Sequence, residues 1–402
     1  MEKVSTVPMD LFSKQFHQSP YTYYKEIRSH HPFAKVKIHN GIQESWMAFS
    51  YEAAEAVLKD ERFIKDMRKV FPDEVTEENL SPIAQSMLFV DPPDHRRLRS
   101  LVQRGFTPKT IGRLKGRIEE IAREQALLMQ EKERVDFIEA YAFPIPIIVI
   151  CELLGIPSED RLDFQRWSNV MVEFSDEPTF NEEFQAAMVE FHQYLEKLIG
   201  AKREQPKDDL LSDLIQAEEG GERLTVRELY GVIMLLIVAG HETTVNLIAN
   251  GVLALLTHPD QLSKLKEDPS LTAQAVEELL RYNGPVEFST DRWARESFEF
   301  MGQQVNKGDH VLVSLASADN DSTVFENPEK LDITREKSPH LAFGKGIHFC
   351  LGAPLARLEG EIAIRVLFET YPNLSLDAEL SDLEWRQSLI IRGLKKLPLK
   401  LV

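Results

Sequence analysis

The sequence contains few cysteines, since Cys151 and Cys350 are the two that occur in 402 residues. Two cysteines are too few for a disulfide framework or for a zinc site made of four thiolates. A chain with so few thiols is typical of a reducing compartment. We therefore expect a cytoplasmic protein that does not depend on disulfides.

Basic side chains are also scarce, because 47 lysines and arginines stand against 65 aspartates and glutamates and give a net charge of −18. A protein that binds nucleic acid by neutralising phosphates needs a basic surface. We therefore expect no nucleic-acid partner. Any basic surface on this protein must come from a local segment of the chain.

A membrane anchor is missing from the start of the chain, where the sequence is mixed and polar. The apolar run from Leu229 to His241 lies inside the chain and is bounded by Glu228 and Glu242. It is shorter than the roughly 20 residues that span a bilayer. We expect no contact with a membrane, and we expect this run to form a buried helix.

Linkers rich in serine and glycine, low-complexity tracts and repeats are missing as well. We therefore expect a single domain over residues 1–402, mainly α with a smaller β-rich region. Apolar periodicity predicts a helical body over about 51–282 and 351–371, and β-rich parts at about 30–50, 287–313 and 386–402. The strand candidates include Phe33 to Ile38, Ser45 to Phe49, Phe298 to Gln304 and His310 to Val313.

One predicted helix is long. Thr225 and Glu228 fit a capping box, in which the two side chains satisfy unpaired backbone groups at the helix start. No proline follows until Pro259, which allows roughly 33 residues and a length of about 50 Å. Because its first half is apolar on every face, we expect this helix to be buried.

The middle of this helix is polar and reads Ala239-Gly240-His241-Glu242-Thr243-Thr244. Glycine and threonine are poor helix formers, and a buried carboxylate is costly. One interpretation is structural, with close packing at Gly240 and hydroxyls that donate to carbonyls of the same helix. The other is functional. A zinc-protease site is excluded, because the second histidine of that pattern would fall at Val245.

The two cysteines have different surroundings. Cys151 follows an apolar run and is expected to be a core residue. Cys350 lies in Phe343-Gly344-Lys345-Gly346-Ile347-His348-Phe349-Cys350-Leu351-Gly352, just before a helix predicted from Leu351 to Thr370. Backbone NH groups at a helix start favour a thiolate, which suits ligation of a metal. Nothing nearby supplies the further ligands of zinc, whereas a haem iron needs one thiolate.

These residues resemble the cytochrome P450 superfamily of haem-thiolate monooxygenases, and most resemble its soluble bacterial members. The segment from Phe343 to Gly352 matches the signature Phe-x-x-Gly-x-x-x-Cys-x-Gly. The segment from Ala239 to Thr244 resembles the oxygen-activating part of the family's long helix, and Glu278 to Arg281 resembles its Glu-x-x-Arg motif. The similarity extends from about Tyr21 to the end of the chain. It implies a triangular, α-rich fold with haem b between the long helix and the helix after the cysteine loop.

The resemblance also implies roles for single residues. Cys350 is the expected thiolate ligand of the iron, in a loop where Phe343, Gly344 and Gly352 are expected to contact the haem. Glu242 and Thr243 resemble the acid and alcohol that deliver protons during oxygen activation, and Ala239 and Gly240 are expected to leave room for oxygen. The residues matched to the family's contacts with the haem propionates are His95, Arg99, Arg292 and His348.

The sequence departs from the family in the scaffold behind the cysteine loop. It reads Ala318-Asp319-Asn320-Asp321-Ser322 where the family often has Ala-Asn-Arg-Asp-Pro. Leu331 occupies a position where an aromatic residue is usual. Glu278 and Arg281 are expected to belong to the same scaffold.

A basic segment interrupts the acidic chain, since His95 to Ile118 contains eight lysines and arginines and no acid. One interpretation is a solvated helix pair with some arginines turned towards the haem. The other is a docking face, joined by Lys345 and Arg357, for an acidic ferredoxin or flavodoxin. The chain contains no flavin or iron–sulfur segment, so we expect electrons from NAD(P)H to arrive through such a partner and its reductase.

The resemblance places the substrate pocket in five segments, at 65–88, 170–190, 235–238, 286–289 and 389–391. The pocket candidates are apolar, which predicts a hydrophobic, medium-to-large organic substrate. They are Leu88, Leu235, Val238, Phe288 and Ile390.

The leading prediction is a monomeric monooxygenase that uses O2 to hydroxylate such a substrate. A peroxide-driven peroxygenase is a second possibility, although family members of that kind replace the acid and alcohol found here at Glu242 and Thr243. A third is a haem-thiolate sensor or carrier without turnover.

Overall fold

The computed structural model describes residues 11, 13–38, 43–76, 80–172, 178–219, 224–336 and 338–401. The α-helices of these residues are α1 (Lys14–Gln18), α2 (Pro20–His30), α3 (Tyr51–Lys59), α4 (Met67–Val70), α5 (Asp94–Val102), α6 (Pro108–Met129), α7 (Pro144–Leu154), α8 (Arg161–Val172), α9 (Pro178–Glu204), α10 (Leu210–Glu219), α11 (Val226–Thr257), α12 (Pro259–Glu267), α13 (Thr272–Asn283), α14 (Leu315–Ala318) and α15 (Ala353–Thr370). The strands are β1 (Phe33–Ile38), β2 (Gln43–Ala48), β3 (Phe63–Ile64), β4 (Arg134–Asp136), β5 (Arg292–Ala294), β6 (Phe298–Phe300), β7 (Gln303–Val305), β8 (His310–Val313), β9 (Ser375–Leu376) and β10 (Pro398–Lys400).

Helix α11 is the long helix that the sequence predicts. It has 32 residues, and both hydrogen bonds of the capping box between Thr225 and Glu228 are present. Among the described residues it is the one helix long and apolar enough to cross a membrane, but 78% of its most apolar window is buried inside the protein. Its apolar character is therefore accounted for by packing against the surrounding helices.

Glycines set how closely other helices approach α11. A Cβ atom on Gly240 would lie 3.0 Å from Cδ1 of Ile150 on α7, and one on Gly360 of α15 would lie 3.1 Å from Cδ2 of Leu247. Larger residues at these two positions would force the helices apart. The structural interpretation of Gly240 is therefore supported, because the missing side chain makes room for α7.

Helices α6 and α15 lie side by side and run in the same direction. Arg365 contacts Glu119 at 3.1 Å, and one turn further along both helices Glu369 contacts Arg123 at 3.3 Å. Parallel packing brings the first turns of the two helices to the same end. The part of the basic segment at the start of α6 therefore lies at the same end of the two helices as the cysteine loop, which precedes α15.

The larger sheet has the strand order β1-β2-β8-β5-β3. Strands β1 and β8 have the predicted bounds, and β2 overlaps its prediction. The prediction of one strand from Phe298 to Gln304 is wrong, because Met301 at φ 48° and Gly302 at φ 72° turn the chain into the β6–β7 hairpin. Strands β3 and β4 also lie inside the region predicted to be helical.

A buried ion pair joins α13 to the segment before the cysteine loop. The guanidinium of Arg281 donates twice to Glu278 at 2.8 Å, and both side chains are at most 1% exposed. Arg281 also donates to the backbone carbonyl of Asp319 at 3.1 Å, and Arg335 donates to Glu278 at 3.0 Å. Because all these groups find partners, the pair is a structural centre, as the sequence suggests.

The departure at Asn320 is compensated by a distant residue. Arg28 of α2 donates to the carbonyl of Asn320 at 2.7 Å and lies 3.8 Å from the Asp321 carboxylate. A guanidinium thus reaches this segment from the N-terminal helix. Leu331 is 4% exposed and packs in the main core.

Arg281→Ala is expected to lower the free energy of unfolding by about 3–5 kcal/mol, because it leaves the Glu278 carboxylate buried without its main cation. Arg123→Ala removes an exposed ion pair and should cost less than about 1 kcal/mol. Chemical unfolding followed by circular dichroism measures both. Equal losses in the two variants would contradict a structural role specific to Arg281.

Candidate active site

The cysteine loop is folded by two glycines and a short 3₁₀ turn. Gly344 and Gly346 have φ of 69° and 74°, where other residues are strained, and a Cβ on Gly346 would meet the Leu58 carbonyl at 2.7 Å. The NH of Cys350 donates to the Phe343 carbonyl at 2.9 Å and closes the loop. Helix α15 begins three residues after the cysteine.

Cys350 is an exposed residue, and backbone donors of the following residues contact its sulfur. Burial raises the pKa of its thiol, while the NH groups of Gly352 and Ala353 and the charge of Arg99 act in the opposite direction. Gly352 stands close to the sulfur, since a Cβ there would lie 4.0 Å from Sγ. This environment suits a thiolate that binds a metal on its accessible side. Cys151 is 1% exposed and lies in the core.

The middle of α11 leaves two of its residues accessible, and the open space beside them is called the cleft below. Ala239 is exposed and Thr243 is partly exposed, although most residues of the helix are buried. The Thr243 hydroxyl donates to the Ala239 carbonyl at 3.0 Å, as the structural interpretation expects. Its oxygen can still accept a hydrogen bond from the cleft.

The Glu242 side chain is 2% exposed and is surrounded by basic and polar groups. Its carboxylate lies 3.6 Å from Nε2 of His241 and 3.8 Å from Nη1 of Arg386. Burial alone would raise the pKa of this carboxyl, but His241, Arg386 and Asn246 together hold the pKa below its usual value. The carboxylate is therefore charged near neutral pH.

A second buried carboxyl lies nearby on α15. Glu359 is 1% exposed, and neither of its oxygens has a hydrogen bond of standard geometry to any described residue. Burial raises its pKa to about 8, and the neighbouring Thr244 hydroxyl lowers it only in part. Glu359 is therefore mainly protonated at neutral pH, unlike Glu242.

Basic side chains from three elements form a cationic cluster at the edge of the cleft. The rings of His95 on α5 and His348 lie 4.4 Å apart, and Arg292 of β5 is 4% exposed. Both ring nitrogens of His95, Nε2 of His348 and Nε of Arg292 are buried and have no hydrogen-bond partner within the described ranges. Arg99 donates to the Phe349 carbonyl at 2.8 Å and ties α5 to the cysteine loop.

The cationic cluster fits a ligand with carboxylates. Burial, aided by the positive charge of Arg99, lowers the pKa of His95 to about 4. Burial also lowers the pKa of Arg292 to about 10. Donors that are buried without partners and disfavoured as cations are suited to a bound anion. The two propionates of a haem provide such charge, so the residues present fit this group.

The pocket candidates differ in exposure. Leu88, Val238 and Ile390 are half-buried, as expected for residues that line a cleft. Leu235 is 6% exposed in the main core, and Phe288 is fully buried against Tyr24 in the N-terminal aromatic cluster. The structure therefore places Leu235 and Phe288 in the core rather than on the cleft. The predicted segments at 65–88 and 170–190 include residues 77–79 and 173–177, which lie outside the described residues.

Some cations of the basic segment form ion pairs with acids from other parts of the chain. Arg97 pairs with Glu228 at 2.5 Å, and Arg117 pairs with Glu152 at 2.9 Å. Lys345 and Arg357, which were expected to join the segment, contact Glu55 at 2.5 Å and Glu277 at 2.6 Å. The exposed cations of the segment that form no such ion pair with the part of the chain that the structure describes are Arg96, Arg104, Lys109, Arg113 and Lys115.

The fold and the thiolate loop define a haem-thiolate protein, and comparison with known proteins identifies the family. The profile described as Cytochrome P450 matches residues 162–377. "Polyketide biosynthesis cytochrome P450 PksS" of Bacillus subtilis is 43% identical and is aligned over 100% of both chains. "Vitamin D(3) 25-hydroxylase" of Pseudonocardia autotrophica is 44% identical over 97% of this chain and 95% of its own. A myxobacterial cytochrome P450, CYP267B1 in complex with myristic acid, has a TM-score of 0.93 at 40% identity and 98% coverage of both chains.

The chain belongs to the cytochrome P450 family. It is a P450 monooxygenase of the soluble bacterial type, with haem as its cofactor. The prediction of the family, of the mainly α fold and of an oxidoreductase is confirmed. The alternative of a sensor or carrier without turnover is therefore set aside.

Sequence analysis missed three charged residues beside the cleft. Glu359 falls on the apolar face of α15 between Leu355 and Ile362, so helical periodicity could have identified it. Arg386 approaches Glu242 from the C-terminal segment, and Lys65 lies buried near Arg292. Neither of these two carries a local signal, because only the tertiary fold brings them to the site.

Arg386→Ala is expected to raise the pKa of Glu242 and to lower the free energy of unfolding by about 1–3 kcal/mol at pH 7. A carboxyl with a lowered pKa stabilises the fold above its unfolded pKa, and this contribution is lost as pH falls through the folded pKa. The difference between the variant and the wild type should therefore shrink from pH 7 towards pH 4. Urea unfolding across this range measures it, with Arg386→Lys as the control. A loss that does not change with pH would show that packing alone is responsible.

Proposed function

We propose that this monooxygenase hydroxylates a hydrophobic, medium-to-large organic molecule, using O2 and electrons from an external ferredoxin or flavodoxin. The proposal includes a reductase that draws on NAD(P)H, and a monomeric, single-domain, cytoplasmic enzyme. The observation that carries it is the exposed Cys350 next to the cationic cluster, where Arg99 donates to the Phe349 carbonyl at 2.8 Å. The proposal places this sulfur opposite Ala239 and Thr243 of α11.

The residues of the cleft have separate tasks in this proposal. Haem bound through a cysteine thiolate supplies the activation of O2 and the insertion of one oxygen atom into a C–H bond. Cys350 binds the iron, while His95, Arg99, Arg292 and His348 hold the propionates. Ala239 has a short side chain that leaves space beside Thr243. The cleft thus holds the cofactor through one thiolate at its centre and cations at its edge.

Proton delivery is assigned to Thr243 and Glu242. Thr243 is partly exposed, and the residue before it carries a buried carboxylate. Arg386 lies 3.8 Å from that carboxylate and has 21% of its side chain exposed, so it connects Glu242 to solvent. A positioned acid of this kind transfers protons without opening the cleft to bulk water. A peroxygenase would not need this pair, which favours the use of O2.

The substrate class follows from the lining and from the relatives. Leu88, Val238 and Ile390 give the cleft an apolar surface that can cover a large ligand. The relatives compared above are named for polyketide biosynthesis and for vitamin D3 hydroxylation, and the structural neighbour contains myristic acid. Polyketides, vitamin D3 and myristic acid are all mainly apolar molecules of medium to large size. We therefore propose a substrate of this size and polarity.

The partner surface is assigned to the exposed cations at the start of α6. Arg104 and Arg113 are exposed and lie near the end of α6 that adjoins the cysteine loop. In an acidic protein such a basic face attracts an acidic electron donor, while the acidic remainder of the surface repels it, so the encounter is directed to this face. Ile347 in the cysteine loop is 44% exposed and provides an apolar contact beside these charges.

Thr243→Ala is expected to uncouple oxygen consumption from hydroxylation, because the alcohol that relays protons is lost. Product formed per NADPH should fall about tenfold or more, while hydrogen peroxide rises. The assay uses a surrogate ferredoxin system and a ligand chosen because it shifts the ferric spin state. Thr243→Ser keeps the hydroxyl and should stay close to the wild type. Full coupling in Thr243→Ala would exclude the relay.

Arg104→Glu and Arg113→Glu are expected to slow reduction by an acidic ferredoxin. The effect should be about tenfold at low ionic strength and should fade as salt screens the charges. Lys396→Glu reverses the charge of an exposed lysine near β10, which is the same change in charge, and serves as the control. Stopped-flow reduction under CO measures the rate. Unchanged rates at low salt would contradict this docking face.

A further inference from the structure

Lys65 is a buried cation whose contacts are neutral. It follows β3 and is 2% exposed. Its ammonium donates to the Thr290 hydroxyl and lies 3.4 Å from the carbonyls of Thr290 and Asp291. Among the described residues it forms no ion pair with a carboxylate. Burying an ammonium without a counter-charge costs several kcal/mol.

The carboxylate of Asp91 lies near Lys65 but accepts hydrogen bonds from backbone NH groups rather than from the ammonium. Asp91 accepts the NH of Lys65 at 3.1 Å and the NH of Asp66 at 2.9 Å. These bonds fix the chain at Lys65. Asp291 instead pairs with His310 at 2.9 Å. The position of the ammonium is therefore built into the fold, although its charge is not neutralised there.

The charged groups closest to Lys65 are Arg292, Asp291 and Asp91. Burial lowers the pKa of Lys65 well below the usual value and Arg292 adds to that effect, while Asp291 and Asp91 oppose it only in part. The guanidinium of Arg292 donates from Nη1 to the Phe63 carbonyl at 3.3 Å, two residues before Lys65. Lys65 thus belongs to the cationic cluster, although the sequence analysis did not assign it there. Four groups assigned to the propionates and one further buried ammonium share one small region.

We propose that Lys65 is a further haem-binding residue, whose ammonium pairs with a propionate carboxylate together with Arg292, His95 and His348. The inference rests on haem as the ligand of this cleft. A bound carboxylate offsets the cost of burying the ammonium, and the charge-assisted hydrogen bond holds the haem more tightly. The positive charge beside the propionate also favours the ferrous state, because it lowers the electron density at the ring.

The test measures haem release and reduction potential in the holoenzyme. Lys65→Gln should speed transfer of ferric haem to apomyoglobin by about tenfold or more, the loss expected for one charge-assisted hydrogen bond. Its ferric–ferrous potential should become more negative. Lys69→Gln removes an exposed lysine four residues away and should match the wild type. If Lys65→Gln does not accumulate, Lys65→Met provides the same measurements with an apolar side chain of similar length.

The outcomes separate this inference from the proposed function. Faster release with a lower potential and an unchanged thiolate spectrum of the CO complex supports it. Unchanged release and potential in both Lys65 variants overturns it, whatever the catalytic activity. Unchanged release with weaker spectral binding of myristic acid, but not of the corresponding alcohol, would also overturn it and assign the ammonium to a substrate carboxylate. A wild type without the thiolate spectrum would contradict the haem site itself.

Discussion

The buried ion pair between Glu278 and Arg281 is the contact on which the position of the cysteine loop depends. Arg281 donates to the Asp319 carbonyl at 3.1 Å, and the Asp319 carboxyl accepts the Leu341 NH at 2.6 Å. The Leu341 carbonyl then accepts the NH of Gly344 at 2.7 Å. A continuous series of hydrogen bonds therefore leads from α13 to the loop. Because these groups are buried, each one that loses its partner remains unsatisfied. The distance between the sulfur and α11 is thus controlled by residues that do not reach the cleft.

Buried ionisable groups are accommodated in three different ways around the cysteine loop and the cleft. Glu278 is paired with two guanidinium groups, those of Arg281 and Arg335. Glu359 is mainly neutral at pH 7, since burial raises its pKa to about 8. In the cationic cluster, the ring nitrogens of His95, Nε2 of His348 and Nε of Arg292 have no hydrogen-bond partner among the described residues. The first case stabilises the fold, while the third prepares the protein for an anionic ligand and makes its stability depend on that ligand.

The residues that sequence analysis identified are those with local signals. The capping box and the absence of proline fixed α11, and two glycines beside a single cysteine marked the loop. Strand β6 was predicted too long because a left-handed Met301 has no signature in the sequence. Phe288 was assigned to the pocket, but tertiary packing turns it towards Tyr24. Arg386 and Lys65 reach the site from distant parts of the chain, and a single sequence does not reveal such long-range contacts.

The parallel arrangement of α6 and α15 has a consequence for how the protein moves in solution. Both helix starts, each with a positive dipole end, lie on the side that carries the exposed cations. The rest of the molecule holds the excess of acid that gives the chain its charge of −18. Such a separation gives the protein a large permanent electric dipole moment. In the field of an anionic surface the molecule therefore rotates before contact and arrives with the cysteine side in front.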